Sequence, residues 1–349
     1  MILAHTYPAA LCLMLLSMVC WGSWANTYKM AGKWRFELFY FDYAIGVLAA
    51  AVLFAFTAGS LGFDGFSFQD DLMHASKHAW LFGFGAGVIF NLANMLLVAA
   101  IAVAGLAVAF PVAIGLALVI GVVWNYLILP QGNPMLLFSG CAIVVGAIIL
   151  DSMAYRSLEL IKLVQLARAG KARSTRLEVS PKGLILSLAS GLLMGSFYPL
   201  VEQGKKGDLG LGPYAIGFVF ALGIFLSTFV FNLFFMNLPV EGPPVEMLEY
   251  FRGGWRQHLL GLAGGLIWCT GTIANFVAAS TPPEVQVGPA ISYALGQGAT
   301  MVSALWGILV WKEFAGADTK VKALVAAMLG LFVCGLALVS IAPLFPAGH

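Results

Sequence analysis

Charged residues are scarce in this chain, since Lys, Arg, Asp and Glu together make up 10% of its 349 residues. An ordinary soluble domain carries about 25% charged residues, which keep its surface hydrated. Hydrophobic residues amount to 61% here, so the chain has too few polar side chains to face water on every side. This composition excludes an ordinary soluble domain and favours an integral membrane protein. The net charge of +2 also gives no indication of a nucleic-acid partner.

Sequence motifs of enzyme and metal chemistry are missing as well. The five cysteines contain no CxxC pair and all lie in apolar stretches, so they predict neither a disulfide framework nor a metal site. The sequence contains no HExxH, no GxSxG and no cluster of histidines with carboxylates. We therefore predict a protein that is not an enzyme and that has no cofactor and no metal ligand set.

Long apolar runs fill most of the chain instead. A helix that crosses the hydrocarbon core of a bilayer, which is about 30 Å thick, needs about 20 apolar residues. Ten runs have this character, and we predict an all-α integral membrane protein with ten transmembrane helices in the lipid bilayer. The predicted spans are residues 8–28, 39–58, 80–101, 104–128, 135–150, 183–203, 212–237, 257–280, 284–311 and 323–343.

Lysines and arginines lie almost entirely on one side of the predicted spans. The loops of one side hold only Lys77, Lys205 and Lys206, whereas the other fifteen of the eighteen basic residues lie on the opposite side. Loops rich in lysine and arginine remain in the cytoplasm. We predict a multi-pass protein of the cell (inner) membrane, with the polar stretch 151–182 in the cytoplasm and both termini outside.

The stretch 151–182 is the longest polar segment between predicted spans. Its first part, 158–169, has the apolar spacing of a helix. This part either lies along the membrane surface or extends the fifth span, and the pattern favours neither alternative. We treat 151–182 as a central loop that joins two units, residues 1–150 and 183–349.

The two units share a pattern of small residues at nearly constant spacing. The matched pairs are Ser17 and Ser190, and Gly22 and Gly195, at an offset of 173, and Gly83 and Gly261, Gly87 and Gly265, and Pro111 and Pro289, at an offset of 178. Because each unit has an odd number of spans, the second unit must enter the membrane the other way up. We predict two inverted five-helix repeats, which are typical of transporters that bind substrate between the repeats. A duplicated membrane scaffold without transport is the alternative.

Polar side chains within the predicted spans are the candidate binding residues, because an intramembrane polar group needs a partner or a cavity. Tyr293, Gln297 and Thr300 are spaced by four and three residues, which places them on one face of the ninth span. The matched face of the fourth span is apolar. A cavity with one hydrogen-bonding wall and one apolar wall suits a small neutral ring or polyol. The alternative is that the stripe packs between helices.

Two further polar pairs are predicted near the middle of their spans. Asn91 and Asn94 share a face of the third span, and Thr272 and Asn275 share a face of the eighth. A single amide can join two helices for about 1 kcal/mol or less. Two pairs at similar depths are better explained by a shared cavity, so we include all four residues in the predicted substrate site.

Two tryptophans, Trp21 and Trp268, are also predicted at mid-depth. Tryptophan usually collects at the membrane–water interface. Aromatic faces that stack on a sugar or a heterocycle would explain both positions, and we add them to the predicted substrate site.

Acidic side chains within the spans are few. Asp42 lies near the start of the second span and Glu202 near the end of the sixth. A proton-coupled carrier needs a protonatable group that is reached from both sides, and these two residues are the candidates. A structural ion pair of Asp42 with Lys29 or Arg35 is the alternative.

Short motifs along the chain resemble the drug/metabolite transporter superfamily, specifically its branch of sugar-uptake carriers (glucose, ribose, rhamnose) and ureide permeases. They are CWGSW at 20–24, FDY at 41–43, GGLIW at 264–268, ANF at 274–276, VSALWGIL at 302–309 and WKEF at 311–314. The resemblance implies a ten-helix carrier with alternating access that imports a small neutral solute, often with protons.

The sequence therefore predicts a secondary active transporter that imports a sugar or a ureide or purine-derived heterocycle, coupled to protons. The partners expected are this small-molecule solute, the bilayer and a coupling proton. Two alternatives remain: an exporter of drugs or small metabolites, which belongs to the wider superfamily, and the scaffold without transport. An exporter of cations is expected to place a carboxylate at mid-depth, and none of the acids lies there.

Overall fold

The computed structural model describes residues 1–168, 181–239, 242–285 and 287–345. Regular structure in these ranges is helical, with no strand. Ten of the described helical segments are long and apolar enough to cross a membrane, which confirms the predicted fold class. In chain order the spans are Tyr7–Met30, Phe36–Phe56, Lys77–Ala104, Val108–Ile128, Pro134–Arg168, Pro181–Lys205, Pro213–Asn237, Trp255–Ala278, Pro289–Val310 and Thr319–Leu344.

Local sequence explains where the helices begin and end. The fifth and sixth helices begin at Pro134 and Pro181, because proline lacks only an N–H that would be unbonded in the first turn. Ser76 caps the third helix through its hydroxyl, which accepts a hydrogen bond from the Ala79 amide at 3.1 Å. Gly105 alone separates the third helix from the helix Leu106–Ile128, which contains the fourth span, and its φ of 77° strongly favours glycine.

The fifth span is much longer than its apolar run. Pro134–Arg168 is one helix of 35 residues, which is about 50 Å at 1.5 Å per residue. In its last third, Leu158 forms a cluster with Ala317, just before the tenth span, and Val321, in the first turn of that span. Residues 151–168 are therefore helix and not loop, because packing against the tenth span continues the helix. Of the two alternatives, extension of the fifth span is correct; residues 169–180 of the predicted loop lie outside the described residues.

The ninth span is the least regular of the ten. It consists of the helices Pro289–Gly296 and Ala299–Leu305 and the π-helical turn Trp306–Val310. Gln297 and Gly298 lie between the two α-helices. Interrupted helices supply binding sites in many transporters, and π-helical turns are frequent at functional sites.

Glycine allows two pairs of spans to touch backbone to backbone. A Cβ atom at Gly87 of the third span would lie 2.1 Å from the carbonyl oxygen of Phe220 in the seventh. A Cβ atom at Gly265 of the eighth span would lie 2.0 Å from the carbonyl oxygen of Tyr43 in the second. Gly87 and Gly265 are matched in the predicted repeat. The third span contacts the seventh, and their repeat counterparts, the eighth and the second, contact each other in the same way. The inverted repeat remains a prediction, and these matched contacts support it.

Contacts between distant segments link the spans at both ends of the bundle. We call the end predicted to face the cytoplasm the basic end. There, Lys29 of the first span forms an ion pair with Glu313, which follows the ninth span and accepts a hydrogen bond from the Tyr155 hydroxyl at 2.7 Å. At the opposite end, the Tyr214 hydroxyl donates to the Ile2 carbonyl at 2.8 Å. The N-terminal part of the chain is therefore held at both ends.

Candidate functional site

Aromatic rings from five spans meet around Trp268 in the middle of the eighth span. Trp268 stacks on Phe90 with ring centroids 4.5 Å apart, and the nearly parallel rings of Trp21 and Phe220 lie at 6.4 and 6.2 Å. The tilted ring of Tyr43 lies at 6.3 Å. We call these five side chains the aromatic cluster. In this conformation the ring faces pack on one another, and a flat ligand ring could stack on them only when they separate.

The hydroxyl of Tyr43 is a buried polar group without a partner. The side chain is fully buried, and its oxygen makes no hydrogen bond to any residue that the structure describes. The Trp24 ring lies next to it, with centroids 4.9 Å apart. An unsatisfied buried hydroxyl costs about 1–3 kcal/mol, which a ligand atom that accepts its hydrogen would offset. Neither Tyr43 nor Tyr40 was among the predicted site residues. Their spacing of three, which places both hydroxyls on one helix face, is the sequence signal that could have indicated them.

The predicted pair Asn91 and Asn94 lies in a closed hydrogen-bond network. The Tyr40 hydroxyl donates to Oδ1 of Asn91 at 2.8 Å and accepts from Nδ2 of Asn94 at 3.1 Å. Nδ2 of Asn91 donates to Ser227 and Thr228 at 2.8 and 3.1 Å. The network joins the second, third and seventh spans, so Asn91 binds protein groups in this conformation.

Three predicted site residues come together at the edge of the aromatic cluster. Nε1 of Trp21 donates to the hydroxyl of Thr272 at 3.0 Å, and that hydroxyl donates to the Trp268 carbonyl at 3.1 Å. Trp21 is half-buried, whereas Trp268 and Thr272 are buried. The hydrogen bond orients the Trp21 ring parallel to Trp268.

Asn275 joins four spans and has no exposed surface. Its Oδ1 accepts hydrogen bonds from Tyr198 at 2.6 Å and Ser292 at 3.1 Å, and its Nδ2 donates to Ser17 at 3.1 Å. Both ends of the amide are therefore occupied by protein groups of the first, sixth and ninth spans.

The break in the ninth span separates the predicted stripe of three residues. Tyr293 is fully buried, and its hydroxyl donates to main-chain carbonyls of the fourth and sixth spans at 3.3 and 3.4 Å. Gln297 is half-buried at the break and makes no side-chain hydrogen bond with the described residues. Thr300 lines a small cavity toward the fifth span. The prediction that these three residues share one face assumed an unbroken helix. The break changes the helical register between Tyr293 and Thr300, so that assumption does not hold.

Asp42 lies in a cluster of polar side chains near the basic end. Its Oδ1 accepts a hydrogen bond from the Tyr250 hydroxyl at 2.6 Å, and its Oδ2 lies 2.8 Å from Nδ1 of His258. Burial, together with the hydrogen bond to Asp42, raises the pKa of Tyr250, so this hydroxyl remains a donor. Asp42 therefore has partners on the eighth span and on the segment before it.

The predicted alternative, an ion pair of Asp42 with Lys29 or Arg35, is wrong. Lys29 pairs with Glu313, and Arg35 pairs with Glu37. Arg35 lies two residues before Glu37 at the start of the second helix, so this ion pair is a local one. Lys29 lies at the end of the first span, beside the segment that follows the ninth.

Glu202 is buried near the opposite end of the bundle and pairs with Lys205. The two charged groups are 2.8 Å apart and lie one turn apart on the sixth helix. Breaking such a buried pair leaves an uncompensated charge. In this conformation the carboxylate of Glu202 has a structural partner.

A cavity of about 490 Å³ lies at the basic end between the second, third and seventh spans. Its wall contains Arg35, Glu37, Met95 and Asn232. Oδ1 of Asn232 is buried and has no hydrogen-bond partner among the described residues. Pockets of about 300–1,000 Å³ hold small molecules, and this cavity begins one residue beyond Asn94.

The described side chains offer ring faces, amides and hydroxyls, which are groups that bind a solute without breaking its bonds. The family model of the ureide permeases matches residues 39–182 and 182–342. The chain belongs to the ureide permease family. A permease moves its solute across a membrane, so this member of the family is a transporter and not an enzyme.

Several curated ureide permeases are similar to this chain over nearly its full length. It is 24% identical to ureide permease 2 of Arabidopsis thaliana, covering 97% of this chain and 98% of that protein. It is 26% identical to ureide permease 4 of the same plant, with the same coverage of both. It is 22% identical to probable ureide permease A3 of Vigna unguiculata, covering 91% and 99%.

A solved crystal structure supports the fold of this ureide permease family member. The two chains superpose with a TM-score of 0.61 at 16% identity, covering 97% of this chain and 99% of that chain. At this identity the likeness shows the fold alone. The predicted resemblance to sugar-uptake carriers and the wider superfamily remains a prediction.

Proposed function

We propose that this protein is a secondary transporter that carries a ureide, a small neutral molecule rich in amide groups, by alternating access. The ureide permease relatives support the class of solute. The observation in this chain that carries the proposal is the aromatic cluster with the unpartnered hydroxyl of Tyr43. A flat amide-bearing ring stacks on an indole face, and its carbonyl oxygen accepts a hydrogen bond from a tyrosine hydroxyl.

The neighbouring predicted residues complete the proposed site. Trp21, Trp268 and Thr272 already touch one another at one edge. Gln297 lies at the break of the ninth span with an unoccupied amide, and it supplies a second hydrogen-bonding group when the break moves. Met95, which follows Asn94, lines the cavity at the basic end, and in our proposal the solute passes through this cavity between the site and that side of the membrane.

Alternating access requires elements that can separate at one end while the other stays shut. The break at Gln297 allows the two halves of the ninth span to move separately. The ion pair of Lys29 with Glu313 joins the first span to the end of the ninth, and it must open when the basic end opens. The first and ninth spans are therefore the moving elements in our proposal.

The direction of transport is proposed as uptake toward the cytoplasm with protons. Asp42 remains the first candidate for the coupling proton, because Tyr250 and His258 provide proton-sharing partners near the basic end. Glu202 is the second candidate, but its ion pair with Lys205 must break first.

A ligand screen followed by uptake tests the proposal. Purified protein is heated with allantoin, nucleobases and sugars, because a ligand that binds only the folded state raises the melting temperature. We expect allantoin or another ureide to raise it, and reconstituted protein to accumulate that ligand under an inward proton gradient. A shift with sugars alone would contradict the proposed solute. Efflux without uptake would favour the exporter, and no binding or transport of any class would favour the scaffold.

The substitution Tyr43→Phe tests the site itself. It removes a hydroxyl that binds no described residue, so the ligand-free protein should keep its melting temperature or gain a little. We expect ureide affinity to fall about three- to tenfold, the value of one hydrogen bond. Tyr40→Phe is the matched control, since its hydroxyl bonds to Asn91 and Asn94. Unchanged ligand affinity in Tyr43→Phe would remove this residue from the site.

A further inference from the structure

A further acidic residue of the spans, Asp151, lies in a small cavity between the fourth, fifth and ninth spans. The cavity measures about 50 Å³, enough for a few water molecules. Its wall includes Pro111 of the fourth span, Asp151 and Tyr155 of the fifth, and Thr300 and Ser303 of the ninth. This cavity is separate from the aromatic cluster and from the cavity at the basic end.

Asp151 is buried without compensation. It is 8% exposed, and its Oδ1 has no accessible surface and no hydrogen-bond partner in the described chain. An ionised carboxylate in this position would cost several kcal/mol, because the described residues supply neither a donor nor a cation that offsets the loss of water. A proton on the carboxyl group removes this charge without requiring any further ligand. The geometry therefore favours a neutral carboxylic acid.

The charged and titratable neighbours do not favour an ionised Asp151. Tyr155 lies one turn further along the same helix, and Glu313 acts on Asp151 as a like charge. The residues that line the cavity from the fourth and ninth spans are uncharged. On the tenth span, Lys320 and Lys322 flank Val321, which packs at the level of Leu158, about two helical turns from Asp151.

We propose that Asp151 is a proton-binding residue that is protonated in this conformation and releases its proton to water when the fourth, fifth and ninth spans separate. In this step the carboxyl O–H bond breaks, the proton passes to a water molecule, and a carboxylate remains. Thr300 lies three residues beyond the break of the ninth span, so movement of that break changes the wall of the cavity. The role of Asp151 in transport rests on the proposed function, whereas the protonation of Asp151 does not.

The proton on Asp151 also affects the contact that joins the first span to the segment after the ninth. Glu313 holds Lys29 and Tyr155, and Tyr155 lines the Asp151 cavity. A carboxylate at Asp151 would place a second negative charge near Glu313 and would compete for Tyr155. Loss of the proton therefore weakens the closure of the basic end, which connects proton release to opening.

Infrared spectroscopy of the reconstituted protein tests the proton without any transport assay. We expect wild type at neutral pH to show a carbonyl stretching band of a protonated carboxyl group, and Asp151→Asn to lose it. Asp208→Asn, which changes an exposed carboxylate, is the matched control and should keep the band. Asp151→Glu keeps a carboxyl group and should show a shifted band, so the test stands even if Asp151→Asn folds poorly. A wild type without this band, or an Asp151→Asn spectrum identical to wild type, would overturn the proposal.

Uptake into proteoliposomes tests the role of this proton in transport. We expect Asp151→Asn to bind and exchange ureide but to lose accumulation against a gradient, so that its plateau equals the outside concentration. Asp208→Asn should accumulate ureide as wild type does. Proton-driven accumulation in Asp151→Asn, or accumulation in wild type that needs a sodium gradient instead, would refute the assignment. If wild type carries no ureide at all, the proposed function fails, and the infrared spectrum still shows whether Asp151 is protonated.

Discussion

Asp42 and Asp151 have nearly the same exposure, 7% and 8%, but opposite surroundings. Asp42 has a tyrosine hydroxyl and a histidine nitrogen within hydrogen-bond distance. Asp151 has no hydrogen-bond partner for its Oδ1 among the described residues. Burial alone therefore does not indicate the state of an acidic group in a membrane protein. The partners decide whether the charge is stabilised or is removed by a proton.

The same contrast separates two tyrosines on one face of the second span. The Tyr40 hydroxyl bonds to two asparagine side chains, and the Tyr43 hydroxyl bonds to no described residue. The satisfied hydroxyl of Tyr40 holds helices together in this conformation, whereas the unsatisfied hydroxyl of Tyr43 is available to a ligand. For these two tyrosines, the presence of partners separates a structural role from the proposed binding role.

The largest expected effect on stability comes from removing the carboxylate that has partners. Asp42→Ala leaves Tyr250 and His258 without their acceptor, and we expect a loss of about 2–3 kcal/mol, since hydrogen bonds to charged groups are worth about 1.5–3 kcal/mol. Asp151→Asn should be neutral or slightly stabilising. Unfolding in mixed micelles measures both free energies. Equal losses in the two variants would show that the hydrogen-bond partners of Asp42 do not distinguish it from Asp151 in stability.

An intermediate effect is expected for the tyrosines. Tyr40→Phe leaves two amides unsatisfied, for which we expect a cost of about 1–2 kcal/mol. Tyr43→Phe removes an unsatisfied hydroxyl, so it should leave the free energy of unfolding unchanged or raise it by up to about 1–3 kcal/mol. The same micelle measurement ranks the two, and a larger cost for Tyr43→Phe would mean that its hydroxyl has a partner in the membrane.

The smallest effect is expected from Glu313. Burial raises its pKa, but the hydrogen bonds from Lys29 and Tyr155 and the charge of Lys29 bring that pKa below its usual 4.5. Since the pKa is lower in the folded state, the stabilisation is present above pH 4.5 and is lost as the pH falls through the folded value. Because the side chains of Lys29 and Glu313 are 44% and 27% exposed, we expect only about 0.5 kcal/mol.

Melting temperatures of wild type and Glu313→Gln between pH 7 and pH 3 measure this effect. Wild type should lose slightly more stability on acidification than the variant does. Parallel curves would show that the contact between the first span and the segment after the ninth contributes nothing to the free energy of unfolding.

Much of the site could be listed from the sequence, but its organisation could not. Trp21, Trp268 and Thr272 were predicted from depth and residue type, and the structure brings them together. Tyr43 was missed, because nothing in the sequence shows that its hydroxyl lacks a partner. Asp151 was assigned to a loop, because the apolar run ends at residue 150, whereas the helix continues by packing against the tenth span.

The sequence by itself determined ten membrane-spanning helices and the asymmetry of basic residues between their loops. Both follow from properties that are local along the chain, namely the length of an apolar run and the position of a charge. Only the tertiary structure decided which buried polar groups are satisfied, because their partners lie far away in sequence. Asn275 bonds to Tyr198 and Asp42 to His258, more than 70 and 200 residues apart. The same interior therefore holds acids with and without partners, and only the packing of the helices distinguishes Asp42 from Asp151.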